Sequence, residues 1–214
     1  MGSSDYIRRG LVEEMLHHVP FDGWSRVALE RATTAQSMDS GAVKLAFPGG
    51  MGQIIAFFSK MGDERMAQTI EADVEWASYK VRERITRAVR YRLEADALHR
   101  DEVRRAMSLL LLPAYSGQAL TMMYRTVDAI WQLCGDTSAD FNFYTKRAIL
   151  AGVFGATLTV WLGDESEHFA DTWCFLDRRI ADVMRFERVK SDVRRTLDKV
   201  PNPFVILARL RYPF

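Results

Sequence analysis

The 214 residues, 24.5 kDa in mass, suffice for one substantial domain or a small module joined to a larger one. With 48% hydrophobic and 27% charged residues, the composition excludes intrinsic disorder. A formal net charge of +1 excludes a global electrostatic pull toward nucleic acid, and no stretch reaches the ~20 apolar residues of a membrane span. Helical periodicity dominates from the first residues, and strand-like alternation is nearly absent. An opening helix is expected near 5–19, broken at Pro20–Gly23. Short helices follow near 24–34 and 40–46, the latter bracketed by Ser40-Gly41 and Pro48-Gly49-Gly50, and a longer one starts at Met51. Val81, Ile85, Val89 and Leu93 then step by four along one face, and Pro113 stops the helix ending in Leu109–Leu112. Leu120, Met123, Tyr124, Val127, Ile130, Trp131 and Cys134 form the next, broad stripe. After the loop at Gly135–Ala139, a helix near 139–162 carries Ile149, Val153, Ala156 and Val160. A last one near 167–186 carries Phe169, Trp173, Leu176, Ile180 and Val183, with Ser138 and Ser166 as capping candidates. Every stripe can bury one side against other helices, so the fold class is all-α.

The two cysteines, Cys134 and Cys174, match no metal-ligand spacing and lie in apolar helical patterns, so both are expected to be buried, reduced thiols. Residues Met1–Arg8 carry neither a signal-type apolar core nor an Arg/Ser-rich presequence, which points to a reducing, cytoplasm-facing location.

The three short N-terminal helices have the layout of a helix-turn-helix module. Over residues 1–60, however, six bases (Arg8, Arg9, Arg26, Arg31, Lys44, Lys60) are balanced by six acids, and the short helix at 40–46 offers only Lys44. DNA affinity comes largely from neutralising phosphates, so a neutral module with one cation in its reading helix is poorly equipped for it. The module is therefore expected to be vestigial, and no nucleic-acid partner is expected.

No catalytic constellation is visible. His17, His18, His99 and His168 stand in no metal-ligand spacing, no phosphate loop follows a strand, and no Gly-x-Ser-x-Gly elbow occurs. No residue is assigned a catalytic or metal-ligating role, which favours a binding protein over an enzyme. Soft and aromatic side chains stand out instead: Met107, Met122 and Met123 in neighbouring helices, and Phe141, Phe143 and Tyr144 across the Gly135 turn from Trp131. Consecutive helical residues point in different directions, so at least one of Phe143 and Tyr144 is expected to be exposed as a partner or ligand surface.

Four strings resemble the ubiquinone-biosynthesis accessory family known as Coq-nine: His18-Val-Pro-Phe-Asp-Gly-Trp24, Leu45-Ala-Phe-Pro-Gly-Gly50, Gly135-Asp-Thr-Ser-Ala-Asp-Phe-Asn-Phe-Tyr-Thr-Lys-Arg147 and Phe169-Ala-Asp-Thr-Trp-Cys-Phe-Leu-Asp-Arg-Arg-Ile180. The stretch Ala42–Ile54 also resembles the end of a TetR-type DNA-binding domain. Phe47 stands at the aromatic of that pattern, whereas Gly50 replaces its turn lysine and Lys44 its phosphate-contacting tyrosine. The resemblance implies a TetR-like bundle of about nine to ten helices, divided into a vestigial module at 1–48, a lipid-binding and dimerisation domain at 49–186, and a basic amphipathic segment at 187–214. It implies a homodimer without catalytic activity and without a cofactor, holding an isoprenoid, quinone or phospholipid in an apolar pocket. Met107, Leu120, Met123, Tyr124, Val127 and Phe141 are the expected lining. It further implies that a quinone intermediate is presented to demethoxyubiquinone hydroxylase, with Asp128, Ile130, Trp131, Phe143 and Tyr144 as the partner patch and Asp128, Asp140 and Arg147 as its polar rim. Phe143 stands where the family has tryptophan, and Ala139 where it has threonine.

From Arg185 to Phe214 eight bases face three acids, a net +5. Phe204, Ile206, Leu207, Arg209 and Arg211 combine apolar bulk with charge and are expected to lie reversibly in an anionic membrane surface. A tail packed back on the domain is the alternative. The expected location is cytoplasmic and peripheral to the inner membrane. Two other functions stay open, a TetR-type regulator with an apolar effector and an enzyme of unrecognised type.

Overall fold

The computed structural model describes residues 3–136 and 141–198. Among them the chain forms nine α-helices and no strand: α1 (Ser3–Asp22), α2 (Arg26–Ala35), α3 (Ser40–Ala46), α4 (Gly50–Ala72), α5 (Val81–Glu94), α6 (Arg100–Leu110), α7 (Ser116–Leu133), α8 (Phe141–Gly163) and α9 (Ala170–Asp198). Local chemistry accounts for most of the boundaries. Ser25 caps α2 by accepting from the Ala28 N–H at 3.3 Å, and Asp39 caps α3 by accepting from the Gly41 N–H at 3.1 Å. The Glu83 carboxylate accepts the Lys80 N–H at 2.9 Å at the start of α5. Pro20 does not break α1 as the sequence suggests. The helix continues to Asp22, and Gly23, at φ +68°, makes the turn by donating its N–H back to the Val19 carbonyl. At the other end, α9 runs on to Asp198 rather than stopping near 186.

Two apolar cores share α4. The first packs α1–α3 and the first half of α4, with Leu11, Met15, Trp24, Phe47, Ile54 and Phe58, against Ala106 and Leu110 of α6. The second joins Met66 and Ile70 at the far end of α4 to α5, α7, α8 and α9, around Leu93, Val127, Ile130, Trp161 and Leu176. The N-terminal helices are thus seated on α6, an attachment reinforced where the Trp24 indole donates to the Glu102 carbonyl at 2.9 Å.

Between the cores lies a buried ionic knot. Arg92 donates to Asp63 at 2.7 Å, to Asp96 at 2.5 Å and to the Ser59 carbonyl at 3.2 Å. Arg65 reaches Asp96, and the Thr126 hydroxyl reaches Asp63. Burial pushes the Asp63 carboxyl above its usual range, against the opposing pull of Arg92 and Thr126. A Cβ on Gly62 would stand 2.6 Å from the guanidinium carbon, so only glycine lets α4 and Arg92 approach this closely.

Candidate functional site

The periodicity of α7 builds one wall of a cavity. Ala119, Met122, Met123 and Thr126 recur at threes and fours and face Met107, Leu158 and Trp161 across a space of about 170 Å³. Almost all of this lining is hydrocarbon, sulfur or aromatic. The polar exceptions, Ser59, Arg92, Asp96 and Thr126, belong to the ionic knot and are engaged there. The space is close to the ~150 Å³ of an apolar cavity known to stay dry and hold benzene, and below the ~300–1,000 Å³ of a pocket for a drug-sized ligand. It can take a ring or a short hydrocarbon segment, with the rest of a longer molecule leaving through the mouth.

Only part of the expected lining points inward. Met107 and Met123 face the cavity. Val127 is fully buried in the second core, outside the cavity wall. Leu120 and Tyr124 correct the sequence expectation: they stand one turn apart on the outer flank of α7, and Leu120 is 72% exposed. The apolar stripe of α7 is wider than the face a single cavity can cover. The side chain of Phe141 lies outside the described residues.

The second candidate surface is held by Arg147. Its guanidinium is buried, donates to Asp128 at 2.6 Å and to Asp136 and the Phe143 carbonyl at 3.2 Å, and lies 3.4 Å from the centre of the Phe143 ring. Arg147 is therefore a clamp between the end of α7, the following loop and the first turn of α8. The rim role expected for it is corrected, because a buried guanidinium needs these acceptors around it. Lys146 donates to Asp136 at 2.8 Å and lies 5.3 Å from the Trp131 ring. Phe143 is half-buried under the clamp and meets Tyr144 edge-on at 5.1 Å, and Tyr144 is 68% exposed. Trp131 is half-buried and lines a groove of about 380 Å³ with Ile149, Ile180 and Val183, and its indole N–H finds no acceptor among the described residues.

Ile130 does not belong to this surface. It is 0% exposed in the second core, so the expectation that it anchors a partner is corrected: on α7 it shares the inward face with Thr126 and Val127. Asp128 is half-buried beneath Arg147, and Asp140 lies outside the described residues, as do Phe204, Ile206, Leu207, Arg209 and Arg211. The thiols differ. Cys134 is buried and burial pushes it up to about 12, whereas Cys174 is exposed on α9, contrary to expectation. No group of three metal-ligating side chains forms among the described residues, and none of the described helices is long and apolar enough to cross a membrane.

Residues 116–187 match the COQ9 family model. Over 200 residues the chain is 30% identical to the mitochondrial ubiquinone biosynthesis protein COQ9 of Rattus norvegicus, covering 91% of this chain and 64% of that protein. The bovine and human proteins of the same name are 30% and 28% identical over 200 residues, with 62% and 63% of their lengths covered. The chain thus spans just under two thirds of these relatives. Among solved structures, a TetR transcriptional regulator from Nitrosomonas europaea superposes with a TM-score of 0.68 at 20% identity, over 82% of this chain and 97% of that one. At that identity the likeness is one of fold, and the fold is the TetR-like bundle expected from the sequence.

Proposed function

Because residues 116–187 match the COQ9 family and similarity to COQ9 proteins runs along nine-tenths of the chain, we propose that this protein is a non-enzymatic, lipid-binding accessory factor of ubiquinone biosynthesis. The observation that carries the reading is the apolar cavity between α4, α6, α7 and α8, floored by Met107, Met122, Met123 and Trp161. Polarisable thioethers and a large aromatic suit an irregular isoprenoid or quinone, and the Ser59, Arg92, Asp96 and Thr126 side chains at the cavity edge are hydrogen-bonded within the ionic knot.

A carrier without catalytic groups raises flux by changing what an enzyme sees. In this reading the demethoxyubiquinone hydroxylase docks on Trp131 near the end of α7 and on Phe143 and Tyr144 in the first turn of α8, with Phe143 held by Arg147. Homodimerisation runs through α8 and α9. It is supported by the exposed small residues Ala148, Gly152, Ala156 and Thr159, spaced by threes and fours along α8, which let a second copy approach closely. The basic segment at 187–214 tethers the protein to the anionic cytoplasmic face of the inner membrane. DNA plays no part, since α3 offers Lys44 as its one cation.

Native mass spectrometry of the purified chain followed by lipid extraction tests the core of this reading. The expected result is a co-purifying isoprenoid or quinone. A chain that purifies empty and takes up no quinone from loaded vesicles overturns it.

A further inference from the structure

The run from Ala106 to Tyr124 contains no Asp, Glu, Lys or Arg, and at 19 residues it is the longest uncharged stretch of a chain in which 27% of residues are charged. A buried stretch of this kind would need no comment, but this one is largely outside. It covers the turn from α6 into α7 and the first two turns of α7. Leu111 is 79% exposed there, Leu112 49% and Leu120 72%, beside the exposed Pro113, Ala114 and Tyr124. Leu111 has a second property: it is also part of the cavity wall. A residue that lines the cavity and is four-fifths open to solvent marks the mouth, so the apolar interior and the apolar exterior meet at this turn.

Resting on the lipid-holding reading, we propose that this turn is where the protein meets the bilayer surface, with Leu112 and Leu120 entering the interface around a mouth framed by Leu111. The occupant follows from three features. A ligand with a long hydrocarbon chain leaves a membrane at lowest cost where the apolar path is unbroken, and among the described lining residues it is Leu111, flanked by exposed leucines, that carries the cavity wall to the surface. Protein interfaces concentrate their energy in Trp, Tyr and Arg, with Leu under-represented, whereas the run is leucine-rich, contains no arginine between Arg105 and Arg125 and carries its one exposed aromatic, Tyr124, at the edge. Tyrosine at the margin of an apolar patch is the arrangement that places a phenol at the headgroup level. The contact also differs in kind from that of the basic C-terminal segment. With no formal charge it is indifferent to lipid charge and to salt, whereas attraction of a cationic tail to anionic lipid is screened within about 8 Å at physiological ionic strength.

The test follows transfer of a pyrene-labelled hydrocarbon from phosphatidylcholine vesicles to the full-length protein, at low and high salt. Leu112→Ser with Leu120→Ser is the informative variant, since neither side chain lines the cavity and both are too exposed for their loss to unfold the chain. The wild type should take up the probe at a salt-independent rate. The double variant should be slower by roughly tenfold or more while reaching the same final occupancy and the same melting temperature. A double variant that takes up probe at the wild-type rate overturns the proposal and leaves the lipid-holding reading standing. It does so too if that variant has lost hydroxylase binding instead, because the turn is then a protein interface. Uptake that falls steeply with salt also overturns it. A wild type that acquires no probe at all overturns the lipid-holding reading. The turn is then judged by flotation with the same vesicles: loss of co-flotation in the double variant supports the bilayer contact, and absence of co-flotation in both proteins removes it.

Discussion

Ile130 and Tyr144 occupy one motif-bearing region of the sequence, yet truncating them should produce opposite phenotypes. Ile130 is fully buried in the second core, so Ile130→Ala removes hydrocarbon from a packed interior and leaves a void. Such changes cost about 2–5 kcal/mol, which for a chain of this size lowers Tm by roughly 5–15 °C. Tyr144 is 68% exposed and its ring packs edge-on against Phe143. An aromatic pair contributes about 0.5–1.5 kcal/mol beyond its buried area, and exposure puts this one at the lower end, so Tyr144→Ala should move Tm by no more than about 3 °C. Binding to the hydroxylase should behave in reverse. Truncating an exposed aromatic anchor costs about 1–3 kcal/mol, or roughly 5–150-fold in Kd, while Ile130→Ala, measured well below its melting transition, should bind within about threefold of the wild type, a difference under 1 kcal/mol. Thermal melts and calorimetric titrations on the same preparations read both quantities. A Tyr144→Ala protein that binds normally removes Tyr144 from the docking face. An Ile130→Ala protein that melts normally would mean that α7 does not turn this side chain into the core.

The remaining predictions concern charge, membrane and assembly. Burial pushes the Asp164 carboxyl up, but hydrogen bonds from the N–H and hydroxyl of both Ser166 and Thr172, at 2.5–2.8 Å, outweigh it and hold the group well below the usual carboxylate range. A depressed folded-state pKa adds stability that is present above the unfolded Asp value near 4 and lost as pH falls below it, so denaturant titrations from pH 5 to pH 2 should show a shallower acid loss in Asp164→Ala than in the wild type. Deleting residues 203–214 should abolish co-sedimentation with anionic liposomes at unchanged melting temperature, and a truncated chain that unfolds would place the segment in the core instead. Ala156→Arg puts a cation into the small-residue face of α8 and should convert a dimer to a monomer in analytical ultracentrifugation, whereas a wild type that sediments as a monomer at micromolar concentration would sink the assembly.

The helices were legible because amphipathic stripes carry their own period. Val81–Leu93 and Phe169–Val183 needed only the spacing of apolar residues to be placed, and the break at Pro20–Gly23 was visible too, although the turn falls at Gly23 rather than at the proline. What was not legible is how much of each stripe is covered. Seven apolar positions from Leu120 to Cys134 exceed one helical face, and which of them turn inward depends on helices distant in sequence; hence Ile130 is core and Leu120 is surface. Buried charge was hidden for a related reason. Arg92 interrupts the apolar run of α5 between Tyr91 and Leu93 as any solvated arginine would, and its burial depends on Asp63, 29 residues away. Arg147 looked like rim because its acceptors, Asp128 and Asp136, are supplied by the preceding helix and loop. Gly62 and Gly52, glycines inside α4 with no turn to make, are the residues against which Arg92 and Gln118 pack, and nothing local in the sequence names those partners.

The proposed route for a ligand follows from where α7 begins and ends. The turn that leads into it and its first two turns border the proposed mouth, Met122, Met123 and Thr126 wall the cavity in its middle, and near its end Asp128 accepts from Arg147 while Trp131 packs under Lys146. Eighteen helical residues span about 27 Å, at 1.5 Å each, so mouth and docking surface stand well apart on the same rigid element. A cavity of about 170 Å³ cannot enclose a quinone together with a long prenyl chain. Such a ligand would lie partly threaded, with one end in the cavity and the remainder passing the leucines of the mouth. A carrier built this way need not extract its whole cargo from the bilayer before docking. In the proposed reading the membrane would keep the tail while the protein held the head, and the work of desolvating a long hydrocarbon chain in water would be avoided. That proposed division of labour would account for two surface features that a closed pocket would not require, a leucine-rich turn beside the cavity at one end of α7 and, at the other, Phe143 and Tyr144 beside the buried Arg147.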